Sequence, residues 1–176
     1  MSLLTPTWLV GAIYTIKPAT LKNQGVKAVL TDLDNTLIAW DNPDGTPQLR
    51  DWLAAMQAAG IIVMVVSNNN EERVSRALQR LDLPHQSRAL KPLPTGIKQA
   101  MRRLHLQPDE CIMVGDQILT DMIAGNLAHV RTVLVRPLVQ TDQWNTRINR
   151  FFEQFIMLGM RLRGRLEYKE DINARK

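Results

Sequence analysis

Apolar runs of strand length alternate with helix-forming segments over most of this 176-residue chain. The apolar runs predict strands at 26–31, 61–66, 111–114 and 131–135, with a short additional strand at 86–89. The segments between them predict helices at 49–59, 71–81, 95–104 and 119–126. Such alternation is typical of parallel βαβ units, and strands that are apolar almost throughout are typical of a sheet covered on both faces. The sequence therefore predicts a three-layer α/β domain with a Rossmann-like parallel sheet.

Polar clusters follow three of these predicted strands directly, with the sequences DLDN, SNNN and GDQ. One such cluster is often no more than a helix cap, but three in succession are hard to explain by capping. In an open parallel sheet the strands end at one edge, where ligands bind. We therefore expect five side chains to converge there: Asp32, Asp34, Ser67, Asn68 and Asp116.

The order of the motifs resembles that of the haloacid dehalogenase (HAD) superfamily of phosphohydrolases. DLDNTL matches its DxDx[TV] motif, the serine of SNN its second motif, the lysine of LKP its third, and GDQILTD its GDxxxxD motif. The resemblance covers roughly residues 27–137. The residues of the motifs are most similar to those of the YqeG family of subclass IIIA, which is grouped with phosphatidylglycerophosphate phosphatases.

The resemblance implies a role for each aspartate of the first motif. Asp32 would be the nucleophile that forms an aspartyl-phosphate, and Asp34 the general acid for the leaving alcohol and then the base for water. Mg²⁺ would be held by the carboxylates of Asp32 and Asp116 and by the main-chain carbonyl of Asp34, since Mg²⁺ prefers oxygen ligands. The alternative for Asp34 is a turn former after the strand.

The remaining motifs supply the expected phosphate contacts. Ser67 would donate its hydroxyl to a phosphoryl oxygen beside the main-chain N–H of Asn68, and the side chain of Asn68 would be a further substrate contact. Lys91 would hold Asp32 and the phosphate together, or else be a solvent-exposed lysine before a proline turn. Asp121 would bind a metal-bound water or orient Lys91, unless it is only a carboxylate favoured by the first turn of a helix.

The segments between the motifs are too short to contain a cap domain. After Leu37 the sequence IAWDNPDGTP has strong turn chemistry and predicts a small hairpin flap, with Trp40 either bordering the entrance or packing inward. Between Ser67 and Lys91 there is room for one helix and a turn. An uncapped site suits a substrate whose bulk remains outside, such as a lipid head group, a protein or a nucleic acid.

We divide the chain into an N-terminal segment on or beside the core (1–25), a HAD-like core (26–140) and a basic C-terminal region (141–176). The net charge is +5, and residues 136–165 contain six arginines. Residues 146–165 have apolar positions at helical spacing. This amphipathic helix either packs on the domain or lies on an anionic membrane; RNA or a protein partner is a third reading.

The sequence thus predicts a Mg²⁺-dependent phosphatase, with a phosphatidylglycerophosphate-type lipid as its leading substrate. The alternatives are a soluble sugar-phosphate or nucleotide phosphatase and an RNA- or ribosome-binding protein on the same scaffold. The single cysteine, Cys111, excludes an internal disulfide framework and fits a reducing compartment. We therefore expect a cytoplasmic protein, peripheral at the inner face of the membrane if the C-terminal helix binds lipid.

Overall fold

The computed structural model describes residues 3–39, 45–139 and 171–172. These residues contain a parallel sheet of six strands. The strands are β1 (Trp8–Val10), β2 (Ala28–Thr31), β3 (Ile62–Val66), β4 (His85–Gln86), β5 (Cys111–Gly115) and β6 (Arg131–Val135). The helices are α1 (Pro18–Asn23), α2 (Pro47–Ala58), α3 (Glu71–Leu78), α4 (Thr95–Leu104) and α5 (Ile123–Leu127).

The spatial order of the strands is β1-β6-β5-β2-β3-β4. The chain leaves β2 towards β3 on one side and later returns to β5 on the other, so the strand order reverses beside β2. Ligands of open α/β sheets bind at such a switch point, outside the carboxyl ends of the strands. The topology therefore directs attention to the residues that follow β2 and β5.

Both faces of the sheet are covered, as the apolar strands predicted. Alternate residues of a strand point to opposite faces: Val29 packs in the core that contains Trp52 of α2, and Leu30 in the core that contains Ile97 of α4. All of these side chains are buried. The predicted three-layer α/β fold is confirmed.

Several predicted elements have different limits in the structure. β4 is two residues long and lies at His85–Gln86 rather than at 86–89. The predicted helix at 119–126 is a π-helical turn, Ile118–Met122, followed by α5. The N-terminal segment, which was expected to pack on or beside the core, supplies β1, and β1 pairs with β6.

Two predicted elements lie outside the described residues. Trp40 and half of the predicted flap (38–47) belong to residues 40–44, and the predicted amphipathic helix belongs to residues 140–170. Between Ser67 and Lys91, which the structure describes completely, the regular elements are α3 and β4. In the described part of the chain, no helix has the length and apolar character needed to cross a bilayer.

Candidate active site

Asp32 and Asp116 follow β2 and β5, the two strands on either side of the switch point. The main-chain N–H of Asp32 donates to the carbonyl of Val114 (2.9 Å), which ties the residue after β2 to the neighbouring strand. Leu33 is fully buried between Asp32 and Asp34. Because successive side chains of an extended segment alternate, this burial favours the display of both aspartates towards the sheet edge.

Lys91 connects two carboxylates of this edge. Its Nζ donates to Oδ1 of Asp32 (2.6 Å) and to Oδ1 of Asp121 (2.7 Å). The lysine side chain is 2% exposed, and those of Asp32 and Asp121 are 14% and 1% exposed. The expected pairing of Lys91 with Asp32 is present, and the alternative of a solvent-exposed lysine is wrong. Asp121 contacts Lys91, which is one of the two roles considered for it.

The side chain of Asn68 holds the main chain of Lys91. Its Oδ1 accepts from the N–H of Lys91 (2.7 Å), and its Nδ2 donates to the carbonyl of Lys91 (2.8 Å). Both ends of the amide are therefore engaged in positioning the loop that carries the lysine. The predicted substrate contact of Asn68 stays a prediction, and its main-chain N–H is the group available for it.

Asp34 is surrounded by residues that follow β3. Nδ2 of Asn69 donates to Oδ2 of Asp34 (2.7 Å) and to Oγ of the buried Ser67 (3.2 Å). The Arg73 guanidinium donates to Oδ1 of Asp34 (3.0 Å). Asn69 and Arg73 were not singled out by the sequence analysis. A signal existed, because Arg73 lies one helical turn after the SNNN cluster.

The SNNN cluster combines capping with a place in the site. The side chain of Asn70 accepts from the N–H of Arg73 and caps α3 (2.9 Å). Of the preceding residues, Asn68 contacts Lys91, and Asn69 contacts both Asp34 and Ser67. The helix-cap interpretation therefore holds for the last asparagine of the cluster, and the site interpretation fits the first three residues.

Asp116 is buried beside the first motif. Its Oδ1 accepts from Oγ1 of Thr36 (3.2 Å), the threonine of the sequence DLDNTL. Gly115 permits the close approach of Asp121, because a Cβ at this glycine would overlap the Asp121 carboxylate. Close packing against Asp121 thus explains why the GD motif has a glycine at this position, and this contact is visible only in the tertiary structure.

The carboxylates of the site have raised pKa values. Burial raises the pKa of Asp32 to about 6; Lys91 opposes this shift, and Asp121 and Asp34 add to it. Burial, followed by the charges of Asp121 and Asp32, raises the pKa of Asp116 well above its usual range. Burial alone would lower the pKa of Lys91, but the attraction of Asp121 and Asp32 outweighs it and the pKa lies above its ordinary value.

The same residues fit a divalent cation. Asp32, Asp116 and Asp121 each offer a carboxylate oxygen, and these atoms lie within 4.8 Å of one another. Three ionised carboxylates and one lysine leave a formal excess of two negative charges in a nearly dry site. A divalent metal ion would neutralise this excess, and oxygen donors suit hard cations such as Mg²⁺. After burial, the negative charge of the neighbouring carboxylates also contributes to the raised pKa values of Asp32 and Asp116.

The structure brings together all six of the predicted site residues: Asp32, Asp34, Ser67, Asn68, Lys91 and Asp116. Three parallel strands and the 87–94 loop carry them to one edge of the sheet. The catalytic, substrate-binding and metal-binding roles assigned to them stay predictions, because their positions alone do not test those roles.

Comparison with known proteins identifies the family. A family model described as haloacid dehalogenase-like hydrolase matches residues 5–129. The chain is 39% identical over 165 residues to the "Probable phosphatase YqeG" of Bacillus subtilis (strain 168), an alignment that covers 94% of this chain and 96% of the relative. It is 31% identical over 135 residues to "Phosphatidylglycerophosphate phosphatase 1, chloroplastic/mitochondrial" of Arabidopsis thaliana, covering 70% of this chain but only 38% of that protein.

A solved structure supports the fold alone. An uncharacterized protein from Listeria monocytogenes serotype 4b superimposes with a TM-score of 0.54 at 16% identity, covering 67% of this chain and 84% of that one. The predicted superfamily is confirmed by the family match and by the Bacillus relative together. The chain therefore belongs to the haloacid dehalogenase-like hydrolases and is a phosphatase of that family.

Proposed function

We propose that this phosphatase is Mg²⁺-dependent, works through an aspartyl-phosphate on Asp32, and hydrolyses a phosphomonoester on a phosphatidylglycerophosphate-type lipid. The observation that carries the mechanism is the position of Lys91, whose ammonium holds one oxygen of Asp32 at 2.6 Å while Asp116 lies on the neighbouring strand. Because Lys91 holds only Oδ1 of Asp32, the carboxylate keeps a fixed orientation at the sheet edge and its other oxygen can attack phosphorus.

The cation would be held by the carboxylates of Asp32 and Asp116 and by the main-chain carbonyl of Asp34. When bound, Mg²⁺ supplies positive charge that lets an anionic carboxylate approach an anionic phosphate. Thr36 would keep the Asp116 carboxylate in position through its hydroxyl. Asp121 is left to pair with Lys91.

The chain's own residues account for both half-reactions. An oxygen of Asp32 forms a bond to phosphorus as the bond from phosphorus to the leaving alcohol breaks, and Asp34 gives that alcohol its proton. In the second half, Asp34 takes a proton from water, which attacks phosphorus and releases Asp32 as a carboxylate and inorganic phosphate. Ser67 and the main-chain N–H of Asn68 donate to the phosphoryl oxygens, where charge is concentrated.

Two observations support a lipid substrate. The name of the Arabidopsis relative gives phosphatidylglycerophosphate as its own substrate. In addition, Leu90 and Leu93, on the loop that carries Lys91, are 61% and 56% exposed, the highest fractions among the large apolar side chains of the described part. Exposed leucines beside the active-site lysine would contact acyl chains or the interface of a bilayer. Burial of their apolar surface there would stabilise the bound state by about 25 cal/mol per Å².

The purified 176-residue chain tests this proposal with Mg²⁺ and three substrates. These are phosphatidylglycerophosphate in anionic vesicles, a soluble sugar phosphate and a nucleotide. We expect kcat/KM to be highest for the lipid, and we expect Asp32→Asn to lose at least a thousandfold in activity on every substrate. Wild-type turnover by Asp32→Asn would refute the mechanism, whereas preference for a soluble substrate would refute only the lipid assignment.

The double variant Leu90→Ser, Leu93→Ser tests the proposed lipid contact. Its hydrolysis of the vesicle substrate should fall at least tenfold more than its hydrolysis of p-nitrophenyl phosphate. Leu3→Ser is the matched control, because Leu3 is also an exposed leucine (44%) but lies beside the end of α5, where its carbonyl accepts from Asn126, and not on the loop that carries Lys91. Equal losses on both substrates in the double variant would contradict a role of these leucines at the bilayer.

A further inference from the structure

Both oxygens of Asp34 are occupied by donors from the segment after β3. Asn69 donates to Oδ2 at 2.7 Å and the Arg73 guanidinium donates to Oδ1 at 3.0 Å. Each carboxylate oxygen can accept a second hydrogen bond, but a donor already placed on each oxygen competes with the leaving alcohol for the carboxylate of Asp34. Withdrawal of one of the two donors would open an oxygen of Asp34 to the leaving group.

Asn69 and Arg73 differ in how firmly they are held. The amide of Asn69 also donates to Ser67, and the main-chain N–H of Asn69 donates to the same hydroxyl, both at 3.2 Å. Arg73 extends a long, flexible side chain from the first turn of α3, and that side chain is 46% exposed. The guanidinium is accordingly the partner that can leave Asp34 without disturbing Ser67.

An anion on the substrate would provide the guanidinium with a replacement for Asp34. Arginine presents a planar set of N–H donors that matches the oxygens of a phosphate. Asp34 is assigned to the leaving alcohol, so a group that meets Arg73 has to belong to the leaving part of the substrate. A substrate with one phosphate and a neutral alcohol would offer nothing there, and Arg73 would remain on Asp34.

We propose that Arg73 is a specificity-determining residue that binds a second anionic phosphate group on the leaving alcohol and releases Asp34 as it does so. This inference rests on the proposed function and names the residue that would recognise the second phosphate of such a substrate. The second phosphate is either a diester, as in a phospholipid head group, or a further monoester.

Three soluble substrates separate these possibilities without a membrane. Glycerol 3-phosphate has a neutral leaving alcohol, glycerol 1,3-bisphosphate adds a second monoester, and glycerophosphoglycerol phosphate adds a diester. We expect the wild type to have a kcat/KM at least tenfold higher for the substrates with a second phosphate. Comparison of glycerol 1,3-bisphosphate with glycerophosphoglycerol phosphate shows whether Arg73 selects a second monoester or a diester.

The variant Arg73→Gln should change the substrates in opposite directions. We expect kcat/KM to fall tenfold or more for the substrates with a second phosphate and to rise for glycerol 3-phosphate, because Asp34 loses its guanidinium partner. Arg73→Lys should keep part of the preference. Arg76→Gln is the matched control, because Arg76 lies on the same helix and pairs with Glu72 at an exposed position; its substrate ratio should be that of the wild type.

Two results would overturn the inference. One is an equal loss on all three substrates in Arg73→Gln, which would mean that the arginine only positions Asp34. The other is a wild type that has no preference for the second phosphate. Absence of any hydrolysis that depends on Asp32 would overturn the proposed function as well, so the two failures are distinguishable.

Discussion

Asn68 and Lys91 are joined by two hydrogen bonds, in which the side-chain amide of Asn68 accepts from the N–H of Lys91 at 2.7 Å and donates to its carbonyl at 2.8 Å. The residues lie on different loops, one after β3 and one before α4. The side-chain amide of Asn68 bonds to the main chain of Lys91 as a neighbouring strand would, and so it holds the second loop against the first. The position of the Lys91 ammonium, and through it that of Asp32, depends on this link.

Replacement of Asn68 by alanine should therefore lower turnover more than substrate binding. We expect kcat for p-nitrophenyl phosphate to fall at least tenfold while KM changes less than threefold, because Lys91 loses its fixed position. Asn70→Ala is the control: it should cost about 1 kcal/mol of stability as a lost helix cap with a smaller change in kcat. Steady-state kinetics and thermal melting measure both effects, and an Asn68→Ala variant with wild-type kcat would contradict the link.

Lys91→Met should destabilise the protein as well as inactivate it. The change leaves Asp32 and the buried Asp121 without their cation, and breaking a buried ion pair in this way costs about 3–5 kcal/mol. Adding Asp121→Asn should restore much of the stability, because it removes one of the two carboxylate charges that Lys91 pairs with in the wild type, but it should not restore turnover. Urea unfolding of both variants measures this, and equal stability of the single and double variants would argue against the proposed charge balance.

The metal-free protein should become more stable as the pH is lowered from 8 to 5. The pKa of Asp32 is about 6 in the folded chain and ordinary in the unfolded chain, so the folded state binds more protons in this interval and stability falls as the pH rises. The full contribution of a shift from 3.8 to about 6 is about 3 kcal/mol, of which about half falls between pH 8 and pH 5. The raised pKa of Asp116 acts in the same direction.

Melting temperatures in EDTA across this pH range test the linkage. The increase on acidification should be several degrees for the wild type and smaller for Asp32→Asn, which lacks the titrating group. Saturating Mg²⁺ should raise the melting temperature most at the upper end of the range, where the carboxylates are ionised. A melting temperature in EDTA that rises with pH would be the opposite of the expected sign.

Thr36→Val should raise the Mg²⁺ requirement without unfolding the protein. The substitution keeps the shape of a fully buried side chain and removes the hydroxyl that donates to Asp116 at 3.2 Å. We expect the Mg²⁺ concentration for half-maximal activity to increase several-fold, while kcat at saturating Mg²⁺ falls less than threefold. Thr36→Ser, which retains the hydroxyl, should have a requirement near that of the wild type, and an unchanged requirement in Thr36→Val would remove Thr36 from the metal site.

The sequence by itself determined the parallel sheet and the edge at which the site lies. Apolar runs of strand length have to be buried, and the helices between them force parallel connections, so polar residues that follow the strands meet at one edge. Asp32, Ser67 and Asp116 are brought together by this rule, although they come from three separate parts of the chain. Local pattern was sufficient here because only the position of each strand end matters.

Tertiary structure decided which side chains pair within that edge. Arg73 reaches Asp34 because α3 starts where Asn70 caps it, and Lys91 reaches Asp121 because Asn68 holds its loop and Gly115 leaves space. β1 is likewise recognised only through its pairing with β6, since three residues are too few for a periodic signal. These contacts depend on the packing of loops and helices, whose geometry is set by the whole fold and not by the spacing of residues along the chain.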